Sequence, residues 1–441
     1  MHKRAIGAAA VTGVAALFMS ACGGSSTPAA DKTPAPSGSS TTTTAAAPAE
    51  ASPTTTGAPA RDASADLVIW ADADRAPRLK TYADQFGQEN GIKVAVQVVT
   101  DTRVQFKDAT NVGKGPDVVV GAHDWLGELV QNGTVAPVPL SADVAAKFDP
   151  KAIAATKYNG QEYGVPYAVE NIALMRNTAL APEAPKTMDE LVATGEKIKK
   201  SNKKVTNVLV QQVGKVGNAY YTYPYLSAFG GGIFATKPNG DYDPSKVIVN
   251  SAESLKGANE IAKLGKAKVL TTNVDDTNAE GIFDGGKAPF FFTGPWATPN
   301  VKKAGIKYAI SPLPSIDGKP MQPFLGVQMF YVSAKAKNAA FAQEFVTNYV
   351  SRKDVQLALF QAGGRPPALK EAYDEVAKSD KDVQGFHAAG MGGKAMPNIP
   401  AMNSVWAPLG QAAADVISGK AKVDARFAAA QKEIVSNINK G

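Results

Sequence analysis

The 441-residue chain has one cysteine and three histidines, and no dense block of charge of either sign. A lone cysteine forms no internal disulfide. His2, His123 and His387 lie far apart, and neither an HExxH nor a CxxC spacing occurs, so no zinc site is built from sequence neighbours. No G-x-S-x-G turn offers a nucleophilic serine. The glycine runs "GGGIF" (230–234) and "GMGGK" (390–394) do not follow strands with the spacing of a dinucleotide or phosphate loop. No basic run is interleaved with aromatics, so nucleic acid is not an expected partner. Among enzymes, only glycoside hydrolysis stays open, because any two of the 40 acidic residues could meet in space. No metal and no cofactor is expected.

Long apolar runs are missing as well. The one candidate, from about Ala5 to Phe18, is shorter than the roughly 20 residues of a membrane helix. It follows His2, Lys3 and Arg4 and precedes "MSAC", the layout of a secretory signal over residues 1–21. Cys22 stands where a bacterial lipobox places its acylated cysteine, with Met19 where that motif prefers leucine. The expectation is a lipid anchor on the outer face of the cell membrane; the alternative is plain secretion with a free thiol. Removal of Lys3 and Arg4 lowers the formal charge from +7 to +5. Residues 22–65 are mostly Ser, Thr, Ala, Pro and Gly, too poor in apolar surface to offset the entropy of ordering. They are expected to act as a tether, about 40 residues of coil with a reach of about 35 Å.

What is present after Asp66 is an alternation of short apolar strands and helices. "LVIW" (67–70), "IKVAVQVV" (92–99) and "DVVVGA" (117–122) read as strands, separated by helices over 76–91 and 102–115. This implies βαβ units and a parallel sheet with helices on both faces, with ligands at the carboxyl strand ends. Trp70, Asp72, Asp74 and Arg75 fall just past the first strand, and Asp124 and Trp125 just past the third. Asp124 is also a candidate N-cap for the next helix, and Trp125 a candidate core residue. A second α/β region follows: a helix over 185–200 with a Thr187–Glu190 capping box, a strand over 205–210, and an aromatic-rich helix over 218–232. A helix over about 251–266 and strands over 287–296 and 324–333 come next, and from Asn338 the chain reads as mostly helical. Trp125, Trp296, Trp406 and the pair Tyr220/Tyr221 sit beside turn residues rather than in apolar periodic runs. Such flat faces suit the C–H side of a pyranose ring, with charged groups binding its hydroxyls. A polyamine site would favour surplus acids and a ferric site paired tyrosines with few tryptophans, so both fit less well.

Five phrases carry a family likeness. "GPDVVVGAHDWLGELVQNG" (115–133), "YNGQEYGVPYAVENIALMRN" (158–177), "KTMDEL" (186–191), "FFFTGPWATPNV" (290–301) and "MPNIPAMNSVW" (396–406) together resemble the maltose/maltodextrin-binding proteins of ABC importers. The resemblance runs from about Leu67 to the C-terminus, in the family's order. It implies an α/β, two-lobed periplasmic-binding-protein-like fold with a ligand cleft between the lobes, which close by rotation about strands near 169–171 and 324–329. It implies an N-terminal lobe of residues 66–168 plus 329–377 and a C-terminal lobe of 169–328 plus 378–441. By position, the implied first-lobe contacts are Asp72, Asp74, Arg75 and Asp124. Glu170 falls in a crossing segment, and Tyr220, Tyr221, Trp296, Met396 and Trp406 in the second lobe. The chain departs from the family's best-known members in four places. Trp125 replaces an Arg, Gly121 a Trp, Ala407 a Tyr and Gly410 an Arg. The implied function is a monomeric, lipid-anchored substrate-binding protein without catalysis, delivering an α-glucoside oligosaccharide to an ABC permease. The alternatives are a binder of cyclodextrin or trehalose, and a secreted glycosidase.

Overall fold

The computed structural model describes residues 57–73, 75–238 and 241–440. The signal segment, Cys22 and Asp74 lie outside the described residues. Among the described residues no helix is long and apolar enough to cross a membrane.

In the first lobe, Leu67–Ala71 pairs in parallel with Val94–Val98 on one side and with Val118–Ala122 on the other. The intervening helices are Ala76–Asn90 and Thr102–Asn111, the first ended by Gly91 in the left-handed region at φ 65°. Up to here the sheet is the parallel one expected. The next strand in space is Phe324–Ser333, some 200 residues later in the chain, antiparallel to Val118–Ala122. Its other edge pairs with Gly164–Glu170, also antiparallel. A ten-residue strand buried along its whole length therefore fills the middle of the sheet.

Alternation along each strand feeds a core on both faces. Leu67, Ile69, Val118, Val120, Phe330 and Val332 pack on one side, and Val68, Trp70, Val119, Met329 and Tyr331 on the other. Trp70 is inside this second core, not past the strand end, and its Nε1–H donates to Gln97 Oε1 at 3.1 Å. Part of the expected tether is also folded. Arg61 Nη2 meets Asp117 Oδ2 at 2.6 Å, and Gln97 donates to the Ala60 carbonyl. The cause is Asp117, fully buried, which also accepts from the amides of Val68, Lys337 and Asn338 and draws the arginine in to balance its charge.

The second sheet has the order Tyr308–Ser311, Ala173–Asn177, Phe290–Thr293, Leu209–Val210. Its strands are shorter than their apolar runs. Only Leu209–Val210 of the expected 205–210 strand pairs, and "GPW" after Thr293 turns into a short 3-10 helix. Phe290 and Phe292 face one core and Phe291 the other. The chain passes between the sheets after Glu170, before Phe324, and between the helices Lys370–Ala377 and Lys381–Gly390.

Candidate functional site

The polar residues at the carboxyl ends of the first-lobe strands form one connected chain. Asp72 accepts from the Arg75 amide at 2.8 Å and pairs with Arg75 Nη1 at 2.6 Å. Arg75 Nη2 donates to Gln328 Oε1 at 2.6 Å, and Gln328 Nε2 donates to Glu170 Oε1 at 2.6 Å. Arg365 Nε completes the row on Glu170 Oε2 at 2.7 Å. Glu170, Gln328 and Arg365 are all more than 90% buried. Gln328 and Arg365 were not expected from the sequence. Gln328 had a signal, a lone amide in the apolar run "FLGVQMFYVS"; Arg365, in "GGRPP", had none without the fold.

The third strand ends at Gly121 and Ala122 and turns into a 3-10 helix, His123–Trp125. Trp125 folds back over Gly121, so close that a Cβ there would lie 1.9 Å from Trp125 Cζ3. The indole is largely but not completely buried, with one side against the first-lobe core beside the group of Val68, Trp70 and Met329. Asp124 makes no side-chain cap; Trp125 occupies the cap position of the helix Leu126–Gln131. The Asp124 carboxyl faces Arg103 at 3.8 Å, and the Trp406 side chain of the second lobe is close enough to favour its charged form. Burial raises its pKa, and Arg103 opposes the rise. Arg103 and Lys107 are held by Glu128, at 2.6 and 3.1 Å.

In the second lobe, Asn218 caps the helix Ala219–Ala228 through the amides of Tyr220 and Tyr221. Their ring planes stand at 78° to each other, and the two residues have different surroundings. Tyr221 is buried in the second-lobe core. Tyr220 lies beside Trp296 and over Phe324, with ring centroids 6.4 and 6.3 Å away. Its buried hydroxyl has no hydrogen-bond partner among the described residues. Burial raises its pKa well above the usual value, helped by the nearby charges of Glu170 and Asp124. Trp296 repeats the device seen at Trp125: its ring covers Gly294, where a Cβ would lie 2.1 Å from Cζ3.

The structure thus joins Asp72, Arg75 and Glu170 through Gln328, sets Tyr220 near Glu170 and Asp124, and brings Trp406 near Asp124. Met396 enters through its backbone, its carbonyl 3.0 Å from His123 Nε2. A cavity of about 1620 Å³ opens next to His123 and Met396, between Lys157 and Asn159 of the first lobe and Tyr242 of the second. Asp124, Glu170, Tyr220, Trp296 and Trp406 do not line it. Among the described residues no cluster of His, Cys, Asp and Glu is suited to a metal.

Residues 81–387 match the family model described as bacterial extracellular solute-binding protein. The chain is 29% identical over 366 residues to the galactooligosaccharide-binding protein of Bacillus subtilis strain 168, covering 81% of this chain and 85% of that one. It is 29% identical over 388 residues to the maltotriose-binding protein of Pyrococcus abyssi, covering 85% and 83%. It is 28% identical over 384 residues to a maltooligosaccharide ABC transporter solute-binding lipoprotein of Streptococcus pneumoniae strain R6, covering 82% and 86%.

Proposed function

Because the chain belongs to the bacterial extracellular solute-binding proteins, we propose that it is the substrate-binding component of a carbohydrate ABC importer, taking a neutral α-glucoside oligosaccharide of the maltose/maltodextrin class. The sugar binds between the lobes, which close on it, and the complex delivers it to the permease. Cys22 carries the lipid that keeps the protein on the outer face of the membrane. The chain acts as a monomer and catalyses nothing. Residues 66–168 plus 329–377 make one lobe, and 169–328 plus 378–441 the other.

The observation that supports the reading is the pairing of the charges described above at the first-lobe strand ends and the helices beside them. Among the described residues, four cations (Arg75, Arg103, Lys107, Arg365) meet four carboxylates (Asp72, Asp124, Glu128, Glu170), each in an ion pair. A site with its charges cancelled internally suits a neutral ligand and not a uronate or a phosphate. Carboxylates and guanidinium groups held in place can still bind hydroxyls, at about 1.5–3 kcal/mol per bond to a charged group. The unpartnered Tyr220 hydroxyl supplies a further donor, and Trp125, Trp296 and Trp406 supply flat faces for pyranose rings. Tyr221 serves by shaping the helix under Tyr220. The outward side of Trp125, in place of a residue at 121, is the first-lobe stacking surface.

Calorimetry against maltose, maltotriose, longer maltodextrins, a galactooligosaccharide, trehalose and cyclodextrin tests this. Micromolar or tighter binding of a maltodextrin, with no hydrolysis of chromogenic glycosides, is expected. Binding of none of them, or turnover of a glycoside, would refute the reading.

A further inference from the structure

The helix Trp406–Ile417 begins at the candidate site, with Trp406 near Asp124. Gly410 lies on the same helix face, about 6 Å further along the axis. That face is not open there. The loop 214–217, with the sequence Gly-Lys-Val-Gly, rests on it backbone to backbone. A Cβ on Gly217 would stand 1.6 Å from the Gly410 carbonyl oxygen, and a Cβ on Gly410 would stand 3.2 Å from the Gly217 carbonyl and from the Val216 oxygen. Both ends of the loop turn through the left-handed region, at φ 70° for Gly214 and 74° for Gly217, so glycine is required there for conformation as well as for space.

The loop is tied down on every side. Val213 is buried in the second-lobe core, and the amides of Val213 and Gly214 both donate to the Val274 carbonyl at 2.8 Å. Gln411 Nε2, from the Trp406 helix, donates to the Lys215 carbonyl at 3.3 Å. Directly after Gly217 comes Asn218, whose side chain caps the helix that carries Tyr220. The loop is therefore fixed to both helices that bring aromatic rings to the site. Its tip stands in water: Lys215 and Val216 are exposed, Val216 by 71%.

We propose that the loop 214–217 is the end wall of the sugar site, so that the protein takes a linear glucan by one of its ends and rejects closed rings. The proposal rests on the maltodextrin reading above. A sugar unit stacked on Trp406 covers the first turn of the helix. A chain continuing along this face would need the space over Gly410, and backbone already fills it. A long side chain can swing aside to another rotamer, whereas a backbone loop tied at Val274, at Gln411 and through Asn218 has no such freedom. The glucan must stop at the wall, with the hydroxyls of its last unit against Lys215 and Val216. A terminal unit carries a free hydroxyl where an internal unit carries a glycosidic bond, so the wall distinguishes the end of a chain from its middle. A ring has no end and cannot set a unit on Trp406 without driving the next one into Gly217. Selection of this kind works by a clash against the wrong ligand rather than by an added contact to the right one.

The test is calorimetry with maltoheptaose, with β-cyclodextrin, the ring built of the same number of glucose units, and with maltotriose in three forms: free, carrying a bulky aryl group at its reducing end, and blocked by a benzylidene group at its non-reducing end. The ring should bind at least about thirtyfold more weakly than maltoheptaose, the effect of losing one aromatic stacking contact. One of the two modified trisaccharides should lose binding to a similar degree while the other keeps it. A variant in which residues 214–217 are replaced by a pair of glycines, its folding checked by melting temperature, should narrow the gap between ring and linear chain by about tenfold or more. Gln411→Ala, which releases a single tie of the loop, should narrow it by a few-fold. A ring that binds the parent as tightly as maltoheptaose would overturn the proposal. So would two modified trisaccharides that both bind as tightly as the free one; neither result needs a variant to fold. A folded loop variant with the gap unchanged would place the exclusion elsewhere and would also overturn it. A parent that binds none of the sugars would instead refute the functional reading.

Discussion

The fit of Trp125 over Gly121 allows a double-mutant cycle. In Gly121→Ala the new methyl would stand 1.9, 2.4 and 2.5 Å from three carbons of the indole, so the ring must leave its seat. Overpacking of this kind costs about 1–3 kcal/mol. In Trp125→Ala the seat empties. Complete burial would put the loss at about 3–5 kcal/mol. With the indole largely but not completely buried, the lower end of that range, about 3 kcal/mol, is expected. In the double variant the methyl has nothing to strike, so its stability should equal that of Trp125→Ala within about 0.5 kcal/mol, a coupling of at least 1 kcal/mol. Guanidinium unfolding of the four proteins measures this. Calorimetry on the same proteins tests the function: either single substitution removes the stacking platform, at about 2–4 kcal/mol, or roughly thirtyfold to several hundredfold in affinity. Additive stability losses would show that the ring does not occupy the space above Gly121. Undiminished affinity in Trp125→Ala would show that no sugar stacks there.

Four further outcomes follow from the geometry. Glu170→Gln takes one charged partner from the buried Arg365 guanidinium and from Gln328, and should destabilise the protein by about 1–3 kcal/mol in guanidinium unfolding, with loss of sugar binding; an unchanged midpoint and affinity would show that Glu170 supports neither. Asp124→Asn removes a carboxylate whose folded pKa is raised, so its charged form disfavours folding above that pKa and has no such effect below its unfolded value of about 3.9. The variant should therefore melt higher than the parent at pH 7, match it near pH 4, and bind sugar at least about tenfold more weakly. Arg61→Ala should lower stability by about 1.5–3 kcal/mol, because the fully buried Asp117 keeps its amide donors and loses its only charged partner among the described residues; an unchanged midpoint would mean that residues 60–65 contribute nothing to the fold. Mass spectrometry of the native N-terminus should find a diacylated or triacylated Cys22, and an unmodified N-terminus elsewhere in 22–65 would exclude the anchor.

Local pattern carried much of this. The unbroken apolar runs of Leu67–Ala71 and Val118–Ala122 predict strands buried on both faces, and helices between them predict parallel pairing. The carboxyl ends of those strands then fall on one edge, which is why Asp72, Arg75, Asp124 and Trp125 could be assigned to the same edge of the sheet from the sequence. The aromatic-rich helix over 218–232 was equally readable, as was the cap at Thr187, whose hydroxyl accepts the Glu190 amide. These features depend on neighbours within a few residues, and their periodicity is written in the chain.

Tertiary structure alone decided the rest. Nothing local says that Phe324–Ser333 enters the sheet between Val118–Ala122 and Gly164–Glu170; burying ten consecutive residues requires partners on both edges and cores on both faces, and only the assembled lobe provides them. That insertion brings Gln328 between Arg75 and Glu170, and Val327 onto His123. Tyr220 and Tyr221 are adjacent and chemically alike, yet the roughly 100° turn per helical residue puts one beside Trp296 and the other in the core, and only the packing of the helix decides which. Trp70 and Trp125 differ for a similar reason: the pleat buries the first completely, while Gly121, by lacking a side chain, gives the second a seat at the strand end. Sequence sets the period and the polarity of each element. Contacts between residues about 30 to 270 positions apart become determinate only when close packing leaves each buried polar group a single place to find its partner.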